Sequence, residues 1–395
     1  MDQERTPGAG RLADHMAIAL LTTVFPRAEV RAAVEEAGRR ERRHRALPAW
    51  LTAYLVLAMW LDPDAGYVRV LRTVLGGLRW GGREPYVCGD TVPTDGAISR
   101  ARARLGSEPL RLLFEGAARA AALAGAAPGG SDEVTGAAPA GPDEVAGAGR
   151  GLRAVAVGSA VVDLPPSARN RAEFGTPAGD VRPQARLVVL ADCGSLALLG
   201  AALAPLDTGE RPLLEALFDR LGPGTLLLAE RDVPTYALCE RAVAGGAQVL
   251  WGVPEALAPP LGERLPDGTY RAELRGAHAG ERLPVRVLGP AFLDPLFADR
   301  APRDPALEGP GAPGPTALIT TLLDPVEAPA PWLVRRYTAR WRIADLCRPL
   351  GADLQRPGGA LRSRTPDGVR QELWALLCVY QALRTLMPHP ETLKS

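Results

Sequence analysis

The apolar residues of this chain change their spacing at a tract rich in Gly, Ala and Pro, residues 123–151. Before the tract, over residues 11–122, apolar positions recur at helical spacing, and Pro and Gly divide them into several helices. After it, short apolar runs bounded by turn residues indicate buried strands that alternate with helices. The pattern predicts an α plus α/β chain: an all-helical N-terminal domain, a flexible linker, and a mixed-sheet domain over residues 152–390.

Two consecutive helices in the first domain carry clear start and stop signals. Thr94 is placed to cap a helix that ends at Gly106, and Ser107 is placed to cap the next one. The first of these helices carries three arginines, Arg100, Arg102 and Arg104. Two helices joined by a short turn with a glycine would suit a helix-turn-helix whose arginines contact DNA phosphates. A solvated arginine face is the alternative.

The densest basic run of the chain lies earlier, at residues 39–45, and reads Arg-Arg-Glu-Arg-Arg-His-Arg. A solvated turn explains this run as readily as a ligand site does. The whole chain has 46 basic and 45 acidic residues, so its formal net charge is only +1. No overall positive excess indicates a nucleic-acid partner, and DNA binding must therefore depend on local patches.

The cysteines and histidines of the chain do not form a metal-binding pattern. The five cysteines are scattered without a CxxC pair, and the four histidines are equally dispersed. This distribution indicates reduced cysteines in the core of a cytoplasmic protein rather than a disulfide or a zinc site. The most apolar early stretch, residues 50–61, is too short to cross a bilayer. It is expected to be a buried helix, and no membrane partner is predicted.

The second domain shows a regular order of elements. Strands are predicted at residues 154–164, 185–192, 196–203, 225–229, 248–253 and 317–323, and helices at 212–221, 235–244, 331–350 and 366–387. A hairpin-like region, residues 261–293, has its predicted turn at 266–268, within an insertion at about 254–316. Strands, then strand–helix alternation, an insertion and a closing helix suggest an RNase H-like core with a β-rich insert.

Short segments in a shared order resemble the insertion sequence four family of DDE transposases. They include Leu57-Ala58-Met59-Trp60-Leu61, Gly77-Leu78-Arg79-Trp80, Thr208-Gly209-Glu210, Leu265-Pro266-Asp267-Gly268 and residues 361–372. No single segment is specific, but their order is shared over nearly the whole chain. The resemblance implies a protein that cuts and rejoins DNA with two Mg²⁺ ions held by three carboxylates.

The first two acid positions that this resemblance implies are altered. In residues 156–165, which resemble the family's first-strand motif, Gly158 stands at the catalytic position. The motif's other acid, Asp163, lies five residues on and faces the opposite side of a regular strand. The second position holds Glu230, whose longer side chain displaces the carboxylate. Asp232 shares the side of Glu230 if the strand continues.

The third acid position lies in a helix that resembles the family's Y-x2-R-x3-E-x6-K signature. Three residues match that signature: Tyr337, Arg340 and Trp341. Ala344 stands at its Glu position and Gly351 at its Lys position. The neighbouring Asp345 is rotated by about 100° around the helix and cannot take the same place without a register shift. Gly252 and Pro254 replace basic residues of the family.

The sequence thus predicts a transposase-family protein without strand-transfer activity that binds DNA, at inverted-repeat ends where they exist, and forms a homodimer. The expected DNA-facing residues are Arg100, Arg102, Arg104, Arg340, Tyr337 and Trp341, with helix packing as the alternative for the two aromatic residues. No cofactor is expected, and Mg²⁺ only if activity is retained. The first alternative is an active transposase with displaced acids: Asp163, Glu230 or Asp232, and Asp345. The second is a scaffold or relic that does not bind DNA.

Overall fold

The computed structural model describes residues 7–41, 45–80, 93–124, 151–177, 181–230, 234–254, 257–293, 315–354 and 361–386. The chain forms two compact units. The helical unit takes residues Met1–Ala121, Asp163–Ala185 and Asp353–Ser395, and the sheet unit takes Ala122–Val162 and Arg186–Ala352. A helical region followed by a mixed sheet with helices confirms the predicted α plus α/β class. Residues 125–150 of the predicted linker lie outside the described residues.

The helical unit is organised around one short apolar helix. Its described helices are α1 (Pro7–Val24), α2 (Arg27–Glu36), α3 (Ala49–Ala58), α4 (Tyr67–Trp80), α5 (Asp95–Leu105), α6 (Glu108–Ala124), α7 (Ala168–Phe174) and the C-terminal α12 (Pro366–Leu386). Residues 50–58 of α3 are all buried, and α3 contacts α2, α4, α5 and α12. A helix that is apolar on every side belongs inside a core. Neither α3 nor any other helix in the described ranges has the length and apolarity to cross a membrane.

The turn between α5 and α6 lies where the sequence predicts it. The Thr94 hydroxyl accepts a hydrogen bond from the Ala97 N–H, and Gly106 ends α5 with a φ of +70°. That left-handed conformation favours glycine, which has no Cβ to clash. The Ser107 hydroxyl, expected to cap α6, instead donates to Asp367 at the start of α12. This contact ties the α5–α6 turn to the C-terminal helix.

The sheet unit contains one mixed sheet. Its strands are β1 (Arg153–Asp163), β2 (Gln184–Asp192), β3 (Leu198–Pro205), β4 (Thr225–Glu230), β5 (Gln248–Val253), β6 (Tyr270–Arg275), β7 (Arg282–Leu288) and β8 (Ala317–Thr320). They lie in the order β3-β2-β1-β4-β5-β8-β7-β6. β1, β4 and β5 are parallel, and β8, β7 and β6 continue the sheet antiparallel. This arrangement fits an RNase H-like fold.

Four described helices accompany the sheet: α8 (Arg211–Glu215), α9 (Tyr236–Ala244), α10 (Ala330–Thr338) and α11 (Trp341–Leu354). The sequence predicts one helix where α10 and α11 stand, at residues 331–350. The chain turns between them through shorter hydrogen bonds, such as Arg342 N–H to the Ala339 carbonyl. This break lets the two helices pack against different strands.

The turn predicted at residues 266–268 is present, but it does not join the main hairpin. It closes a short reversal ahead of β6, in which Arg264 pairs with Tyr270. The β6–β7 hairpin itself turns at residues 276–281. The sequence signal of Pro-Asp-Gly therefore predicts a turn correctly but does not locate the turn of the β6–β7 hairpin, because turn chemistry does not specify which strands pair.

Candidate functional site

Glu230 and Gly252 lie at the carboxyl ends of β4 and β5, and Gly158 lies midway along the parallel strand β1. The β4–β5 register pairs Glu230 with Gly252. The β1–β4 register pairs Ala156 with Leu228, two residues before Gly158 and Glu230 respectively. Neighbouring strands are about 4.8 Å apart, and residues level with one another point to the same face. The first two positions at which the resemblance implies catalytic acids therefore stand on neighbouring parallel strands.

The space next to Gly158 is already filled by side chains of α11 and β2. A Cβ atom at this buried glycine would lie 2.5 Å from Cys347 Sγ, 2.9 Å from Ile343 Cγ2 and 3.2 Å from Val189 Cγ2. Such approaches are closer than van der Waals contact allows, so even an alanine would force its neighbours to move. A carboxylate at this position has no room, and neither has a metal ion with its water ligands.

The second glycine of the row, Gly252, is covered in the same way by α10. The hydroxyl of Tyr337 occupies the place where a side chain at Gly252 would begin, and Pro315 Cβ lies 2.9 Å from that point. Tyr337 is fully buried. The expectation that Tyr337 faces DNA is therefore corrected, because a side chain that fills a gap inside the core cannot reach a DNA strand.

α11 carries the third implied acid position next to the same glycine. Ile343 and Cys347 lie one helical turn apart and both contact the Gly158 position, whereas Ala344 is half-buried and Asp345 is exposed. The helix that carries the third implied position thus packs beside the first, and these two positions hold alanine and glycine. Burial raises the pKa of the Cys347 thiol to about 12. The thiol stays neutral near pH 7, and neutral thiols are poor metal ligands.

No other acidic side chains among the described residues take the place of the three implied catalytic acids. Asp163 lies on the opposite face of β1 from Gly158, as the alternating burial along the strand shows, and its carboxylate accepts from Gln184 Nε2 at 2.8 Å. Asp192 is buried and pairs with Arg153 at 2.5 Å. In the part of the chain that the structure describes, no three His, Cys, Asp or Glu side chains are grouped to hold a metal ion. The residues around Gly158 do not fit a two-Mg²⁺ centre.

Two further predictions for the sheet unit concern Glu230, at the second implied acid position, and Arg340, expected to face DNA. Glu230 is the last residue of β4, but its side chain and Asp232 lie outside the described part of the chain. Arg340 is half-buried, and its guanidinium lies 4.4 Å from the Tyr337 ring centroid and 5.5 Å from that of Trp341. Stacking on aromatic rings holds a guanidinium in a defined orientation. Trp341 is also half-buried.

The three arginines of α5 have different surroundings within the helical unit. Arg100 and Arg104 are exposed. Arg102 is buried, and its guanidinium donates to Glu372 Oε1 at 2.5 Å and to Gln371 Oε1 at 3.1 Å. The expectation that Arg102 contacts DNA is therefore corrected. A buried guanidinium is stable only beside a paired charge, and this one is paired within its own unit.

Two comparisons with known proteins bear on this arrangement. Residues 15–115, which include α5 and the basic run at 39–45, match the family model described as insertion element 4 transposase N-terminal. The transposase InsG for insertion sequence element IS4 of Escherichia coli (strain K12) is 24% identical to the chain over 359 residues, which is 89% of this chain and 72% of that relative. The chain is thus similar to insertion element 4 transposases in its N-terminal region and, at low identity, over most of its length.

Sequence reasoning missed the polar residues that enclose Arg102. Glu372 is buried, and its carboxylate also accepts from Ser363 Oγ at 2.6 Å and from the Arg362 N–H at 2.7 Å. The available signal was the density of polar residues in 361–372, a segment that resembles the family and leads into an apolar helix. That segment joins α12 to α5 rather than forming a ligand site.

Proposed function

We propose that this chain is a transposase-family protein that binds DNA but does not cut or rejoin it. The observation that carries the proposal is the packing at Gly158, where Cys347 and Ile343 fill the space that a catalytic carboxylate would need. With Gly158 and Ala344 at two of the three implied positions, Glu230 is the one acid left of that set. Two Mg²⁺ ions about 3.5–4 Å apart repel each other strongly, and one carboxylate does not offset their charge.

The DNA-binding half of the proposal rests on arginines that remain although the acids are lost. Arg100 and Arg104 are exposed and four residues apart on α5, which sets them on one face of the helix. In the sheet unit, Arg340 is held against the rings of Tyr337 and Trp341. Arginines at a protein surface attract DNA phosphates by their charge and need no metal ion for this contact. The proposal includes a homodimer, as the resemblance implies.

A strand-cleavage assay tests the catalytic half. The full chain is incubated with labelled duplex DNA that carries the inverted-repeat ends of a flanking element, in Mg²⁺ or in Mn²⁺. We expect no cleavage or joining above the level of the Glu230→Ala variant. The control is Asp219→Ala, which removes a carboxylate whose side chain is 91% exposed in the same unit. Turnover that Glu230→Ala abolishes and Asp219→Ala preserves would contradict the proposal and favour an active enzyme with displaced acids.

Fluorescence anisotropy tests the DNA-binding half. We expect binding that weakens as salt rises, prefers the inverted-repeat duplex over a scrambled one, and is equal in EDTA and in Mg²⁺. Equality in EDTA follows because the proposed contacts are made by arginines rather than through a metal ion. No binding at low salt would contradict this half and favour a scaffold that does not bind DNA.

A further inference from the structure

A cleft of about 340 Å³ in the helical unit brings the described residues of the basic run, 39–41 and 45, together with α5. Its charged lining residues are Arg39, Arg40, Glu41, Arg45 and Arg104. This arginine cleft lies inside the region that matches the insertion element 4 N-terminal model. Its volume falls at the lower end of the range of about 300–1,000 Å³ found for ligand pockets. The sequence shows the basic run and Arg104 separately, and only the fold sets them around one space.

The cleft carries a net positive charge that its own acid does not cancel. The Glu41 carboxylate accepts from the Ala49 N–H at 3.3 Å and lies 3.7 Å from Arg45 Nε. Glu41 therefore accepts a hydrogen bond from the first N–H of α3 and is also paired with one arginine. Arg40 lies 3.5 Å from Glu35, but that pair is exposed and weak. Within the described ranges, no ion pair engages the other two arginines of the lining, at positions 39 and 104.

The turn after α5 makes room for one of these two arginines. A Cβ atom at Gly106 would lie 3.2 Å from Arg39 Nη2, so the guanidinium lies against the bare glycine backbone. Asp367 Oδ2 would be 3.4 Å from the same point, and Asp367 Oδ1 accepts from the Ser107 N–H at 3.1 Å. Asp367 thus fixes the α5–α6 turn through Ser107, and the Arg39 guanidinium packs against the glycine of that turn.

We propose that the arginine cleft binds the phosphodiester backbone of duplex DNA, an inference that rests on the proposed DNA-binding function. A planar guanidinium donates two parallel hydrogen bonds to a phosphate, which suits arginine better than lysine to this ligand. The lining residues that the structure describes include no aromatic ring, so the cleft offers no platform on which a base could stack. Its contacts therefore position the DNA without reading its sequence.

The test measures duplex affinity of the full chain against salt concentration for a charge-neutral double variant, Arg39→Gln with Arg104→Gln. We expect weaker binding, by about tenfold or more at low salt, because two charged hydrogen-bond donors are lost. The slope of log affinity against log salt should fall in magnitude by about two, one for each phosphate contact. Arg39→Lys with Arg104→Lys should restore the slope, because the charges return, and recover the affinity only in part.

The matched control is Arg72→Gln with Arg119→Gln, which removes two exposed arginines elsewhere in the helical unit. It should leave affinity and slope close to those of the parent chain, and thermal melts should show all variants folded. If both Gln double variants reduce duplex binding equally, or if neither reduces it, the proposal that the arginine cleft binds DNA is wrong. The proposed function is unaffected by either result. A parent chain that binds no duplex at low salt overturns both proposals.

Discussion

At the scale of single residues, two glycines decide what the sheet unit can do. Glycine is normally unfavourable within a strand, because it costs backbone entropy and packs no side chain. At Gly158 and Gly252 the space is taken by neighbours: Cys347 and Ile343 at the first, and the Tyr337 hydroxyl at the second. At both glycines, side chains of α10 or α11 therefore pack where a larger side chain would otherwise stand.

This closure predicts that Gly158→Ala destabilises the protein by about 1–3 kcal/mol, through overpacking against Cys347 Sγ and Ile343 Cγ2. Urea denaturation followed by circular dichroism measures the loss. The control is Gly222→Ala in the same unit, where an added Cβ meets nothing within 4 Å and φ is not positive. Adding Cys347→Ala to Gly158→Ala should recover part of the loss, because it removes the closest atom. Equal stabilities of the two single glycine variants would show that the space is not filled.

At the scale of elements, the helical unit depends on a polar contact between distant parts of the chain. Arg102 on α5 pairs with Glu372 on α12, 270 residues away, and both side chains are almost wholly buried. The Arg102 guanidinium also donates to the Tyr67 hydroxyl at 2.6 Å. Breaking a buried ion pair by removing one partner is costly, because the other charge stays in a medium that solvates it poorly.

Glu372→Gln is therefore expected to reduce the free energy of unfolding by about 3–5 kcal/mol. The matched control is Glu173→Gln, which removes the same charge from a half-exposed pair with Arg370 in the same unit and should cost less than about 1 kcal/mol. Thermal and urea denaturation of the full chain measure both. Similar losses for the two variants would mean that the Arg102 pair contributes no more than a surface contact.

At the scale of the whole molecule, the cysteines report the integrity of both units. The four cysteines that the structure describes are free and buried: Cys193, Cys239, Cys347 and Cys378. Burial raises the pKa of the Cys239 and Cys347 thiols to about 12 and also raises those of Cys193 and Cys378. An unfolded thiol has a pKa near 8.5. Folding therefore favours the neutral thiol, which is not nucleophilic.

In a Cys88→Ser variant, a thiol reagent at pH 8 should find no reactive cysteine in the folded chain and four after denaturation. Because the folded pKa values lie above the unfolded value, the stabilisation from neutral thiols is complete below about pH 8.5 and is lost as the pH rises above it. The thermal midpoint should fall accordingly between pH 8 and pH 10. Rapid reaction of any thiol in the folded chain would contradict the burial.

Local signals in the sequence were enough for much of the secondary structure. Thr94 and Gly106 bound α5 as predicted, because capping and left-handed turns depend on the residues themselves. The buried strands β1, β4 and β5 follow from short apolar runs. The break between α10 and α11 was missed because it carries no Pro or Gly, and the turn of the β6–β7 hairpin was not located because the Pro-Asp-Gly signal lies in an earlier turn.

The sequence by itself determined the order of helices and strands, the absence of a carboxylate at Gly158 and Ala344, and the residues available for charge contacts, since these depend on spacing and residue identity. Only the tertiary structure decided which of those residues face inward. Arg102 is buried by a helix 270 residues away, whereas Arg104, two residues further on, joins Arg39 at one cleft. Burial and charge pairing are set by elements distant in sequence, and the local pattern of α5 holds no information about them.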